Sequence, residues 1–239
     1  MPKWMTVVFA LFLSLHVFST EGRNVEEVIH NYVLAMGGKE RLHSIHSIYT
    51  EGMIIQKNKA NSSFKAYALK DKAFHTEVIS GTGIAVISFS GKSGWKYDGI
   101  DSLHSFTSAG YLLKDQAELD CSGPLVDYIT KGHHATLLGT ELVAGKDCYR
   151  VKLTRKTGQW IEYFIDIHNF LIMRERASIE TSSPNHQVVT RDFSNYRLTK
   201  DGYVFAYTIK TDAAGTMIMY NRVELNKPVY PGLYKPSVQ

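Results

Sequence analysis

Polar and apolar positions along this chain follow two periods. Between Asn24 and Met36 the apolar residues are Val25, Val28, Ile29, Tyr32, Val33 and Met36, the three-and-four spacing of a single helix face. Asn24 followed by Glu27 is a helix-capping signature, and Gly37-Gly38 supplies residues that accept positive φ where the helix stops. Lys39 to Leu42 predicts one further short turn. From Ser47 the period drops to two. Runs rich in Ile, Val, Tyr, Phe and Thr predict strands over Ile48 to Gln56, Ser63 to Leu69, Ala73 to Ile79 and Ile84 to Ser90, with a short one over Trp95 to Asp98. Lys70-Asp71-Lys72 and Gly91 to Gly94 read as hairpin turns.

Residues 99 to 134 interrupt the series. Tyr111, Leu112, Leu113 and Gln116 to Leu119, then Pro124, Leu125, Val126, Tyr128 and Ile129, predict two short helices over about 108 to 130, with Pro124 opening the second and Gly132 ending it. Strands then resume over Ala135 to Leu142, Cys148 to Thr154, Trp160 to Asp166, Leu171 to Ala177, Val188 to Tyr196, Tyr203 to Lys210 and Met217 to Leu225. Thr157-Gly158 and Asp201-Gly202 mark hairpins, so neighbours in sequence become neighbours in an antiparallel meander. About eleven strands exceed what an open twisted sheet holds without curling, and an incomplete barrel is expected.

The alternations give the sheet two unlike faces. Tyr149, Val151 and Leu153 oppose Arg150, Lys152 and Thr154, and Tyr203, Phe205, Tyr207 and Ile209 oppose a less apolar set. One apolar face and one wetter face mark a sheet covered on one side only. The helices are few and short for so wide a concave face. The sheet therefore either closes on its own side chains or leaves an apolar cavity suited to an apolar ligand.

The first residues bear on compartment. Lys3 is the only charge before an apolar run from Met5 to Phe18, and Ser19 and Thr20 follow it, the order of a secretory signal cleaved before Thr20 or Glu21. The competing reading, a membrane anchor, needs roughly 20 apolar residues, and this run has about 14. No Cys follows the run to carry a lipid. Residues 1–19 are thus expected to be removed, leaving 20–239 as one domain with a helical insert.

Composition changes this picture little. The aromatic content is 12%, with 14 Tyr and 11 Phe against 6 Pro, which favours strands. Without Lys3 the basic residues number 26 against 23 acids, a scattered net charge of +3 that gives no basis for nucleic-acid binding. Cys121 and Cys148 would meet an oxidising compartment, but a bridge between them stays open, because Cys148 points away from the Tyr149, Val151 and Leu153 face.

The polar residues form no recognisable site of chemistry. His43 and His46 are three apart and His133-His134 are adjacent, yet neither pair comes with the Cys, Asp or Glu set of a zinc site. Ser90-Gly91-Lys92-Ser93-Gly94 lacks the full order of a phosphate loop and reads as a hairpin. Glu51, Glu77, Glu162 and Glu175 lie in strands, but no spacing singles out an acid–base pair. No cofactor fingerprint and no nucleophile elbow is present.

Several segments together resemble one family. Met36-Gly37-Gly38-Lys39-Glu40-Arg41-Leu42 with Ile45, Ser47, Ile48 and Gly52, the stretch Gly91 to Trp95, Leu138 to Glu141 continuing through Gly145 to Thr154, Tyr163 to Asp166, and the ending Glu224 to Pro228 with Leu233 to Pro236 look like the outer-membrane lipoprotein-sorting proteins of Bacteroidetes-type bacteria, relatives of the LolA and LolB carriers. The resemblance runs from about Asn24 to Pro236 and rests on the order of short motifs. It implies a curved, incomplete antiparallel barrel with helices as a lid, working in the periplasm, where it would hold lipid acyl chains between membrane-associated donor and acceptor proteins. Those carriers close their lid with a barrel arginine; Arg150, Arg174, Arg191 and Arg222 are all strand-borne here.

Three functions remain in view. The first is a carrier of an acyl chain or similar apolar ligand, lined by Tyr149, Val151, Leu153, Trp160, Phe164, Phe205 and Tyr207 of the strands and by Leu112, Leu113, Leu125 and Val126 of the lid. The second is a hydrolase that uses strand carboxylates on the same scaffold. The third is an envelope interaction or sensor domain with a filled interior.

Overall fold

The computed structural model describes residues 24–91, 93–99, 103–107, 119–179, 187–212 and 215–235. The expected signal segment, and Leu112 and Leu113 of the insert, lie outside the described residues.

Helix α1 spans Val25–Ala35 and is capped as its sequence predicts: the Asn24 side chain accepts the Glu27 N–H at 2.8 Å. It buries Val28, Ile29, Tyr32 and Val33, the apolar stripe of its sequence. The helix ends where Gly38 N–H reaches the Val33 carbonyl at 2.9 Å and Gly37 and Gly38 take positive φ. Helix α2, Lys39–His43, follows directly.

The strands form one antiparallel sheet. They are β1 (Ser47–Gln56), β2 (Ser62–Leu69), β3 (Ala73–Ser80), β4 (Gly83–Ser90), β5 (Ser93–Tyr97), β6 (Leu103–Thr107), β7 (His134–Val143), β8 (Lys146–Thr154), β9 (Trp160–Asp166), β10 (Ile172–Ile179), β11 (Gln187–Leu198), β12 (Val204–Thr211) and β13 (Thr216–Leu225). Their order is β6-β5-β4-β3-β2-β1-β13-β12-β11-β10-β9-β8-β7. Two meanders, β1 to β6 and β7 to β13, are therefore sewn together where β1 pairs with β13, giving a curled, open sheet of the incomplete-barrel kind. The hairpin expected at Ser90 to Gly94 is the β4–β5 connection, with Ser90 opposite Ser93.

The seam has a sharp bulge. Glu51 pairs with Arg222 but Gly52 pairs with Tyr220, so Asn221 is the extra residue. A Cβ on Gly52 would sit 2.0 Å from the Met219 carbonyl oxygen, so only glycine lets the two strands approach this closely.

Among the described residues the sheet has thirteen strands, in keeping with the expected curled antiparallel sheet of about eleven; β6, Leu-His-Ser-Phe-Thr, is a short edge strand with few apolar residues inside the stretch expected to interrupt the series. One expectation is corrected. The expected helix from Pro124 to Gly132 is a succession of turns instead. Asp127 takes φ +52 in its middle and breaks the helical path, and its carboxylate is held by Lys39 Nζ at 2.6 Å and by His43.

Candidate ligand groove

Cross-strand register assigns the faces. On β8 and β9, Tyr149 stands opposite Ile165, Val151 opposite Tyr163 and Leu153 opposite Ile161. These residues form one cluster with α1, α2, Leu125 and Val126. Val151 and Leu153 are 0% exposed, and Leu125 and Val126 are nearly so. Tyr149 stacks on Phe170 at 6.2 Å beneath the same cover. This half of the curved face is packed protein interior. The elbow between α1 and α2 is fastened down: Arg41 Nη1 donates to the Gly37 carbonyl at 2.7 Å and to the Gly202 carbonyl at 3.0 Å, and Val204 N–H donates to the Met36 carbonyl at 3.1 Å.

Among the described residues the other half of the same face is open. A groove of about 500 Å³, within the usual size of small-molecule sites, runs over β3, β2, β1, β13 and β12. Its floor is concave because the residues that meet there are small: Thr50 opposite Ala66, Ala66 opposite Thr76, and Ala68 between Ile48 and Phe74. Larger side chains, Ile54, Phe64, Phe205, Ile218 and Tyr220, form its walls, with Tyr220 edge-on to Phe64 at 5.5 Å and to Phe205 at 5.1 Å. The lining includes no carboxylate, ammonium, guanidinium or imidazole group.

Of the residues expected to line a ligand site, Phe205 lines this groove. Tyr149, Val151, Leu153, Leu125 and Val126 share its face but lie in the packed half. Trp160 and Phe164 are on the opposite face, opposite Thr154 and Arg150 in the β8–β9 register. There Lys152 sits 5.4 Å above the Trp160 ring, and Arg150 and Arg176 lie 5.9 and 5.0 Å from the centre of the Phe164 ring. In β9 the face of Ile161, Tyr163 and Ile165 is wholly apolar, whereas Trp160 and Phe164 share theirs with Glu162 and Asp166, so the two charges already marked that side as the wetter one. Tyr207 packs edge-on against Phe205 at 6.1 Å and lies under Arg197, and it borders a polar recess with Arg222 and Glu224. The groove residues Thr50, Ala66 and Ala68 were missed. Their signal was a row of small side chains facing one way, alternating with Tyr49, Glu51, Lys65 and Tyr67.

The strand carboxylates are spoken for and do not converge. Glu162 binds Arg150 at 3.0 Å and Arg176 at 2.7 Å, and these partners hold its carboxyl below the usual range against an opposing burial effect. Glu175 pairs with Tyr163, shares its helix-covered face and is 9% exposed; burial pushes its pKa up while Arg191, its register partner on β11 at 2.7 Å, pulls it down. Arg191 is thus the one of the four strand arginines on the helix-covered face, whereas Arg150, Arg174 and Arg222 pair with Glu162, Asp192 and Glu224. Glu51 accepts the Tyr49 hydroxyl, and Glu77 is 3.1 Å from His75 Nε2. Lys65 stands between Glu51 and Glu77 in register. Two carboxylates meeting in the groove, which the hydrolase reading requires, are not found among the described residues.

No group of three or more His, Cys, Asp or Glu that could hold a metal occurs among the described residues. Cys121 and Cys148 are free and buried in different clusters, and burial pushes each thiol up to about 11. No helix among the described residues is long and apolar enough to cross a membrane.

Solved structures share this architecture. A DUF1329 family protein from Desulfovibrio piger is 15% identical, with a TM-score of 0.58, over 90% of this chain and 99% of that one. A LolA superfamily protein from Nitrosomonas europaea is 12% identical, with a TM-score of 0.56, over 90% and 99%. A protein from Vibrio parahaemolyticus, provisionally assigned as an outer membrane lipoprotein-sorting protein domain, is 12% identical, with a TM-score of 0.55, over 88% and 97%. The class that the fold defines is therefore the LolA-like incomplete barrel. No family model and no curated protein matches the chain.

Proposed function

We propose that the protein is a periplasmic carrier that holds a lipid acyl chain, or a ligand of similar apolarity, in the groove over β1, β2, β3, β12 and β13, and passes it between membrane-associated partners. The observation that carries this reading is the uncharged lining of a groove left open on an otherwise packed face. Burial of a chain there gains roughly 0.8 kcal/mol per methylene, less the cost of ordering it, so affinity accumulates from many weak contacts. The resemblance to Bacteroidetes-type lipoprotein-sorting proteins and the likeness to LolA-like structures support a role in lipoprotein sorting, following export and removal of residues 1–19.

The test uses gently purified full chain. Native mass spectrometry is expected to find co-purified lipid, and a fluorescent fatty acid is expected to bind and be displaced by unlabelled lipid. Ala66→Trp, which fills the floor, is expected to weaken probe binding by more than tenfold while the far-UV spectrum stays unchanged. A protein that is empty and never takes up the probe overturns the reading.

A further inference from the structure

A second cavity, of about 470 Å³, lies beyond the end of the groove. It is walled by the β2–β3 turn, the turns between Leu119 and His133, and the β8–β9 hairpin. Leu119 lines it and also packs on Phe74, which lines the groove. Lys70 is two residues along the strand direction from Ala68, a step of about 7 Å. The two cavities therefore share a wall at one end.

The chemistry of this second cavity is the reverse of the groove's. Lys131 is satisfied by Asp120 at 2.6 Å, Ser122 Oγ at 3.2 Å and the Gly123 carbonyl at 2.8 Å, and Asp127 is committed to Lys39 and His43. What remains on the wall is Lys70, Arg155 and Lys156 against Asp71. The Arg155 Nε is buried with no hydrogen-bond partner. The Lys156 backbone N–H donates to His133 Nδ1 at 3.3 Å, so a neutral His133 carries its proton on Nε2 and presents another donor. Burial, with the positive charges of Arg155, Lys131 and Lys156, pushes the His133 pKa down. Cationic donors that lack an acceptor in a recess favour an anion.

We propose that this cavity receives the anionic head, a phosphate or a carboxylate, of the amphiphile whose chain occupies the groove. The inference rests on the carrier reading and narrows its ligand to anionic single-headed lipids, with Lys70, Arg155 and His133 Nε2–H as the donors and Lys156 adding positive charge.

The experiment measures displacement of the fluorescent fatty acid from full-length protein by dodecyl phosphate, by 1-dodecanol and by inorganic phosphate. Dodecyl phosphate is expected to bind about tenfold more tightly than dodecanol. Lys70→Gln with Arg155→Gln is expected to abolish that difference and leave dodecanol affinity in place, and Lys156→Gln alone to reduce it, so that the result does not hang on one variant folding. Equal affinity for dodecyl phosphate and dodecanol, both weakened by Ala66→Trp, overturns the head site and leaves the carrier reading standing. If neither binds, the carrier reading fails, and the head site with it. Inorganic phosphate that binds as tightly as dodecyl phosphate, regardless of Ala66→Trp, makes this a free-anion site and overturns the link to the chain.

Discussion

On β8 and β9 the concave side carries Val151, Leu153, Tyr163 and Ile165, each closed off beneath α1 and the 119–133 turns. On β1 and β2 the same side carries Ile48, Thr50, Ile54, Ala66 and Ala68, and most of these are only half-buried along an open groove. The strands of the two halves are alike in length and pairing. Among the described residues the difference lies in what α1 and α2 can reach: fastened at one end of the sheet through Arg41 and Met36, they cover one half and leave the other. The lesson is that an apolar sheet face becomes core or binding surface according to the size and placement of its cover, with smaller side chains marking the part left free.

Paired truncations break this comparison most directly. Leu153→Ala, in the filled half, is expected to cost about 3 kcal/mol in chemical denaturation, whereas Ile54→Ala in the open half costs under about 1 kcal/mol and instead weakens fatty-acid binding. Equal losses from the two would mean that the groove is packed interior too. A next effect comes from the reverse face of the filled half. Asp166 accepts His168 N–H at 2.8 Å, Asn169 N–H at 3.3 Å and Lys146 Nζ at 3.2 Å, and these bonds outweigh burial and hold its carboxyl below the usual value. Asp166→Asn is expected to cost about 2 kcal/mol at neutral pH. Because the folded pKa is depressed, this stability is present above the unfolded value of about 4 and lost as pH falls through the folded one, so variant and parent should converge in acid. A variant whose deficit persists there would assign the loss to packing.

Arg41→Ala sharpens the account of the cover. Removing the clamp between Gly37 and Gly202 is expected to cost about 1 kcal/mol and to raise hydrogen exchange in α1 and the turn between β11 and β12, with β1, β2 and β3 unaffected. The smallest effect concerns the cysteines. With both thiols buried, apart and pushed up to about 11, a thiol reagent is expected to modify neither until denaturant is added, and reductant to leave the melting temperature where it was.

Much of the fold was legible because its signals are local. The Asn24 cap, the α1 stripe, the alternating strands and the hairpin at Ser90 to Ser93 depend on residues within a few positions of one another. The 119–133 segment was not legible as turns. Its apolar spacing suited a helix, and the left-handed Asp127 that breaks it is held by Lys39 and His43 from more than eighty residues away. The groove was legible only in kind. An apolar concavity followed from the alternation, but the large rings of Phe164 and Trp160 stand among Glu162 and Asp166 on the reverse side, where Arg150, Arg176 and Lys152 cover them.

The sequence by itself determined an antiparallel sheet with one apolar face, a capped helix before it and too little helix to cover it, because period, caps and turns act over one or two turns of chain. Tertiary structure alone decided which part of that face is core and which is groove. That choice depends on where α1 and α2 dock, through contacts such as Arg41 to Gly202 across 161 residues, and no local pattern encodes a contact at that range.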